Sequence, residues 1–117
     1  MGDASHHSRL SREKKLGARG EYEKGRFTNV GDLAMKAVEQ AIEAVAAREG
    51  LHFHQHPRSA HAQRTAYVRK RFLSLSRDLA LLWSTYGDLG YDGLNGRRAK
   101  EALEAMERIL AVLEKEA

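Results

Sequence analysis

The stretch from Thr28 to Arg48 limits the fold more than any other part of the chain. Val30, Ala34, Ala37, Val38, Ala41, Ile42, Val45 and Ala46 recur at steps of three and four, the spacing that puts side chains on one face of an α-helix. Leu33 widens this stripe, while Glu39 and Glu43 fall toward the other face. Gly50 stands just past the last periodic residue, where a glycine closes a helix by taking a left-handed conformation. These features predict a helix from Thr28 or Asn29 to Arg48. Its alanine-rich face needs apolar partners, and the rest of the sequence offers only helices to provide them.

A first helix is expected over residues 8–24, with Leu10, Leu16 and Tyr22 as sparse apolar positions. Gly17 and Gly20 weaken it by roughly 1 kcal/mol each relative to alanine, and residues 1–8 are expected to be flexible. Gly25, in "KGRF", breaks the pattern. After a polar connection over 51–58, Ser59 is placed to cap a long third helix from Ala60 to Tyr86. Val68, Phe72, Leu75, Leu79, Leu82 and Tyr86 form its stripe, joined by Trp83. "YGDLGYDGLNG" then reads as a tight glycine-rich turn, since no Lys-Ser/Thr pair follows to complete a phosphate loop. A last helix runs from an Asn95 cap to the C-terminus on Ala99, Ala102, Leu103, Met106, Ile109, Leu110 and Leu113. No alternating strand pattern occurs anywhere. The expected fold is all-α, an antiparallel up-and-down four-helix bundle, with residues 1–117 as one domain.

Composition narrows the chemistry. The chain has 117 residues and no cysteine, which removes disulfides, thiolate metal sites and thiol nucleophiles. Apolar runs are too short to span a bilayer. "MGDASHHSRLSREKK" has no apolar core of a secretory signal, so a cytoplasmic protein is expected, with no membrane partner. The net charge is +4, but its distribution says more. Residues 58–87 carry Arg58, Arg64, Arg69, Lys70, Arg71 and Arg77 against the single acid Asp78. That basic segment suits phosphate backbones, and it equally suits an acidic helix in this chain or a partner. Arg58, Arg64, Lys70, Arg71 and Arg77 are the candidate anion or nucleic-acid contacts, with Tyr67 placed to stack on a base.

"LHFHQHPRSAH", residues 51–61, holds four of the six histidines and the only proline. In an extended segment, residues two apart point the same way. His52, His54 and His56 therefore form a candidate metal edge, with His61 as a fourth ligand across Pro57. The plainer reading of the segment is a polar hinge between helices. No cofactor is called for by any motif.

The order of features resembles the HEPN family (higher eukaryotes and prokaryotes nucleotide-binding domains). The resemblance spans about residues 9–117. It rests on "GEYEKGRFTNVGDLAMKAVEQAIEAVAAREG", with "KAVEQAIEAV" in the place of an Ala-x-Glu-type signature, then His61, "LALLWSTYGDLGY" and the Ala/Leu-rich last helix. The resemblance implies an antiparallel bundle, homodimerisation through helix faces and a nucleotide- or RNA-binding role. A nucleotidyltransferase-type partner in a toxin–antitoxin pair is also implied. Nuclease members carry Arg-x(4–6)-His near the start of the last helix, histidine accepting a proton from the 2′-hydroxyl and arginine stabilising phosphate charge. Here no histidine lies after residue 61, and the one matching spacing is Arg48 to His54. The expected function is thus a non-catalytic or catalytically reduced nucleotide/RNA-binding or interaction module. The alternatives are a ribonuclease using Arg48 and His54 across a dimer, and a purely structural helical assembly protein.

Overall fold

Pairing of α1 (Ala4–Glu23) with α2 (Phe27–Ala47) organises the molecule. In the computed structural model, which describes residues 3–91 and 96–116, these two helices form a hairpin. The Ser11 hydroxyl donates to the Ala37 carbonyl at 2.8 Å, His7 meets Gln40, and Leu33 packs over Gly17. Residue number rises along α1 as it falls along α2, so the pair is antiparallel. Gly25 and Gly50 close α1 and α2 in left-handed conformations, φ 73° and 78°, which glycine adopts without a Cβ clash. Past Gly50, the Leu51 amide reaches back to the Ala46 carbonyl at 3.0 Å.

Three more α-helices follow: α3 (Ala60–Arg71), α4 (Ser76–Tyr91) and α5 (Gly96–Glu116). Short 3-10 turns at Phe53–Gln55 and Leu73–Leu75 separate α2, α3 and α4. Lys15 pairs with Glu114 and Arg19 with Glu107, so α5 runs antiparallel to α1. Arg108 grips Asp78 through two bonds of 3.0 and 2.8 Å and ties α5 to the start of α4. The core is the stripe of α2 interleaved with Leu75, Leu79 and Leu82 and with Met106, Ile109, Leu110 and Leu113 of α5. At the start of α5, a Cβ on Gly96 would stand 3.1 Å from the Phe27 ring, so the glycine permits close approach of α5 to the first turn of α2. Each fully buried Leu or Ile contributes roughly 1.5–3 kcal/mol.

The all-α class stands, but there are five α-helices among the described residues where the periodicity predicts four. The long third helix is divided. Phe72 leaves the helical region at φ −138°, ψ 60°, and the 3-10 turn carries the chain to a fresh start at Ser76. The division lets two apolar groups face different neighbours. Tyr67 packs between Phe53 and Phe72, whereas Leu75, Leu79 and Leu82 meet the stripes of α2 and α5 in the same core. A heptad stripe is shared equally by one long helix and by two short ones in the same phase.

Two boundaries also differ. α1 begins at Ala4, inside the segment expected to be flexible, because the Asp3 carboxylate caps it by accepting from the His6 amide at 2.7 Å. α4 continues through Gly87 and Gly90 to Tyr91, so residues 86–91 of the expected tight turn are helical. Residues 92–95, with the proposed Asn95 cap, lie outside the described residues. Ser59 does sit at the start of α3 but makes no side-chain cap bond there. None of the described helices is long and apolar enough to cross a membrane.

Candidate functional site

Two polar features stand out against this frame, one buried and one exposed. The buried one centres on Glu43. The helical stripe turned it toward the outer face, yet it is 0% exposed. The cause is the segment after α2. The chain folds back over that face through the Phe53–Gln55 turn, anchored by Phe53 against Tyr67, and α3 then lays Arg64 alongside. One carboxylate oxygen of Glu43 accepts from the His54 amide at 3.3 Å and from His54 Nδ1 at 3.0 Å. The other accepts from Arg64 Nε at 2.8 Å. Arg64 also lies 3.5 Å from the Glu39 carboxylate. Burial alone would raise the Glu43 carboxyl, but the bonds from His54 and Arg64 outweigh it and hold the group below its ordinary value.

His7 of α1 completes this cluster. Its ring stands 4.9 Å from that of His54, edge to face. Its Nδ1 lies 2.6 Å from Gln40 Oε1. An amide oxygen only accepts, so Nδ1 carries the proton and Nε2 presents a lone pair. That Nε2 is buried without a hydrogen-bond partner.

The exposed feature lies where α3 meets α4. Trp83 is 42% exposed. The His61 ring stacks on it at 3.6 Å and 21°, and Tyr86 stacks at 5.4 Å and 26°. Below the ladder is a mostly apolar cavity of about 190 Å³, bordered by Arg69, Thr65, Leu79 and Ser76. Ser76 Oγ is buried without a partner.

The residues singled out from the sequence are scattered across these features. Among the histidines of the connection, only His54 joins the Glu43 cluster. The 3-10 turn replaces the extended edge on which His52, His54 and His56 were to align. The His52 ring stands edge-on to that of His54, with centres 6.0 Å apart. His56 is exposed, and His61 belongs to the aromatic ladder. Arg48, exposed at the end of α2, forms no hydrogen bond or ion pair with His54 among the described residues; the arginine that meets His54 is Arg64, through Glu43.

The basic candidates divide in the same way. Arg64 is committed to Glu43 and Glu39, and Arg71 to Glu49. Arg58, Lys70 and Arg77 are exposed, and no ion pair involves them among the described residues. Lys70 ends up on α3 and Arg77 on α4, with the break at Phe72 between them. Tyr67 is buried and donates to Glu49, so its ring is not available to a base. Sequence reasoning missed His7, Gln40 and Glu43, and the helical phase of Glu43 pointed the wrong way. The adjacent His6–His7 pair was the one visible signal. No protein-family model, no curated protein and no solved structure matches the chain.

Proposed function

We propose that the protein is a HEPN-like nucleotide- or RNA-binding module, without nuclease activity, that takes a base on the Trp83 ladder. The observation that carries the reading is Trp83 itself, half-exposed and already stacked on His61 at the junction of α3 and α4. Large aromatic faces that stay in water are costly to keep, and they suit bases because every base has a π-face. Arg69, at the rim of the same cavity, is placed to meet a phosphate. Exposed Lys70 and Arg77, on the two helices that form the junction, extend the positive field. The sequence resemblance supports the same class and adds a nucleotidyltransferase-type protein in a toxin–antitoxin pair as the proposed partner. Against catalysis stands the sequence, in which no histidine lies after residue 61, where the last-helix nuclease motif would need one.

The test is binding of a fluorescently labelled single-stranded RNA. Affinity is expected to fall with salt, and to fall about 5- to 150-fold in Trp83→Ala, matching the ~1–3 kcal/mol of one base–aromatic stack. Arg69→Glu is expected to weaken binding and flatten the salt dependence. Binding unchanged in both variants would refute the reading. RNA cleavage abolished by His54→Ala would instead establish the ribonuclease.

A second reading, structural assembly, is favoured by Leu73, which is 70% exposed in the turn between α3 and α4. Leu73 and Trp83 are both exposed, and a second copy of the chain would cover such apolar side chains. Light scattering after size exclusion separates the readings. A dimer lost in Leu73→Glu, together with no RNA binding at low salt, selects assembly.

A further inference from the structure

The ladder does not use the buried cluster of His7, Glu43 and His54, and that cluster carries an inference of its own. We infer that these three side chains form a site for one divalent first-row transition ion of the zinc class. One ligating atom from each lies within 4.8 Å of the others. The three come from three separate elements, α1, α2 and the Phe53–Gln55 turn, so the folded chain assembles them.

The state of each ligand fits a cation. His7 is 3% exposed, and its Nε2 lone pair has no hydrogen-bond partner. Its other ring nitrogen is held by Gln40, the arrangement that fixes tautomer and ring angle in metal-binding histidines. Both oxygens of Glu43 accept hydrogen bonds, one from the Arg64 guanidinium, as a carboxylate does. Arg64 occupies one of its oxygens and leaves the other toward His54. A tetrahedral ion with bonds of about 2.0–2.1 Å sets its ligand atoms about 3.3 Å apart. His54 Nδ1 and Glu43 Oε1 already lie 3.0 Å apart. On binding, Nδ1 releases its proton to solvent while Nε2 takes one up from solvent, giving the other neutral tautomer, so the ion replaces the hydrogen bond to Glu43.

Charge agrees as well. One guanidinium, Arg64, faces two carboxylates, Glu39 and Glu43, leaving a net negative setting before any ion enters. With two nitrogens, one oxygen and no thiolate, the donor set suits zinc, cobalt or nickel over calcium or magnesium. Three protein ligands leave the fourth position to water.

The probe is Zn²⁺, titrated into metal-free full-length protein against a chromophoric chelator, with Co²⁺ absorption reporting geometry. Expected are one ion per chain and a tetrahedral Co²⁺ spectrum. Affinity is expected to fall at least about 10-fold in His7→Ala and Glu43→Gln and to be unchanged in His56→Ala. Gln40→Ala, which touches no ion, is expected to weaken binding about 10- to 100-fold. In the wild-type protein, Zn²⁺ is expected to shift the ring-nitrogen resonances of His7 and His54, a readout that needs no variant to fold. Absence of stoichiometric binding, or bound zinc that leaves those two rings unshifted, would overturn the inference. Because the Trp83 ladder is a separate structure, its failure as an RNA surface would leave this result standing.

Discussion

Replacing Glu43 with alanine tests the buried cluster most severely. The substitution leaves Arg64 with only the longer contact to Glu39 and removes both bonds to His54. Breaking a buried ion pair from one side costs about 3–5 kcal/mol, because the abandoned charge stays buried. Arg64 is mostly but not fully buried, and Glu39 still faces it, so the expected loss is about 2–4 kcal/mol. Urea unfolding followed by circular dichroism measures it, with the midpoint expected to fall and the slope to hold. In a domain of this size, Tm should drop on the order of 10 °C.

The pH dependence follows from the depressed Glu43 carboxyl. A depressed carboxyl contributes stability that is present above its unfolded value, 4.5, and that is lost as pH falls through the folded value. The gap between wild type and Glu43→Ala should therefore be full at neutral pH and narrow below about pH 4.5. Replacing both partners, Glu43→Leu with Arg64→Met, should recover part of the loss, since no stranded guanidinium remains and the carboxylate left behind, Glu39, is partly exposed. A Glu43→Ala variant within 0.5 kcal/mol of wild type, about the scatter of an ordinary surface change, would refute the account of the cluster.

Other expectations follow from single contacts. Gly50→Ala, at φ 78°, should cost about 1 kcal/mol in thermal unfolding, because an alanine in the left-handed region is strained. Tyr67→Phe removes the hydroxyl that donates to Glu49 and should cost about 1 kcal/mol. Burial and the Glu49 carboxylate push the Tyr67 phenol above its ordinary value, so ultraviolet titration should show one of the four tyrosines resisting ionisation until the fold is lost. Leu82→Ala, at the centre of the core, should cost about 2–5 kcal/mol by denaturant melt.

Helices with one apolar face were legible because period is a local property. The stripe of α2 and the face of α5 are both found where their spacing puts them. The break at Phe72 was not legible, since no glycine or proline marks it and the stripe continues in phase across it. Its cause is tertiary, the packing of Tyr67 between Phe53 and Phe72 at one edge of the core. The buried cluster was hidden for a related reason. Glu43 occupies the polar side of α2, and only the return of the chain through Phe53 covers it. His7 and His54 stand 47 positions apart in sequence, and no short spacing motif joins residues so distant. The histidine connection drew attention by density, yet one of its four histidines reaches the cluster and another, His61, stacks on Trp83.

The central claim, that Trp83 receives a base, has a direct probe because this chain contains one tryptophan. Its intrinsic fluorescence reports that ring alone. Titration with single-stranded RNA at low salt should quench it saturably, and raised salt should reverse the quenching. Emission that does not change while labelled RNA binds would place the nucleic acid elsewhere. Unchanged emission with no binding at all would contradict the nucleic-acid function itself.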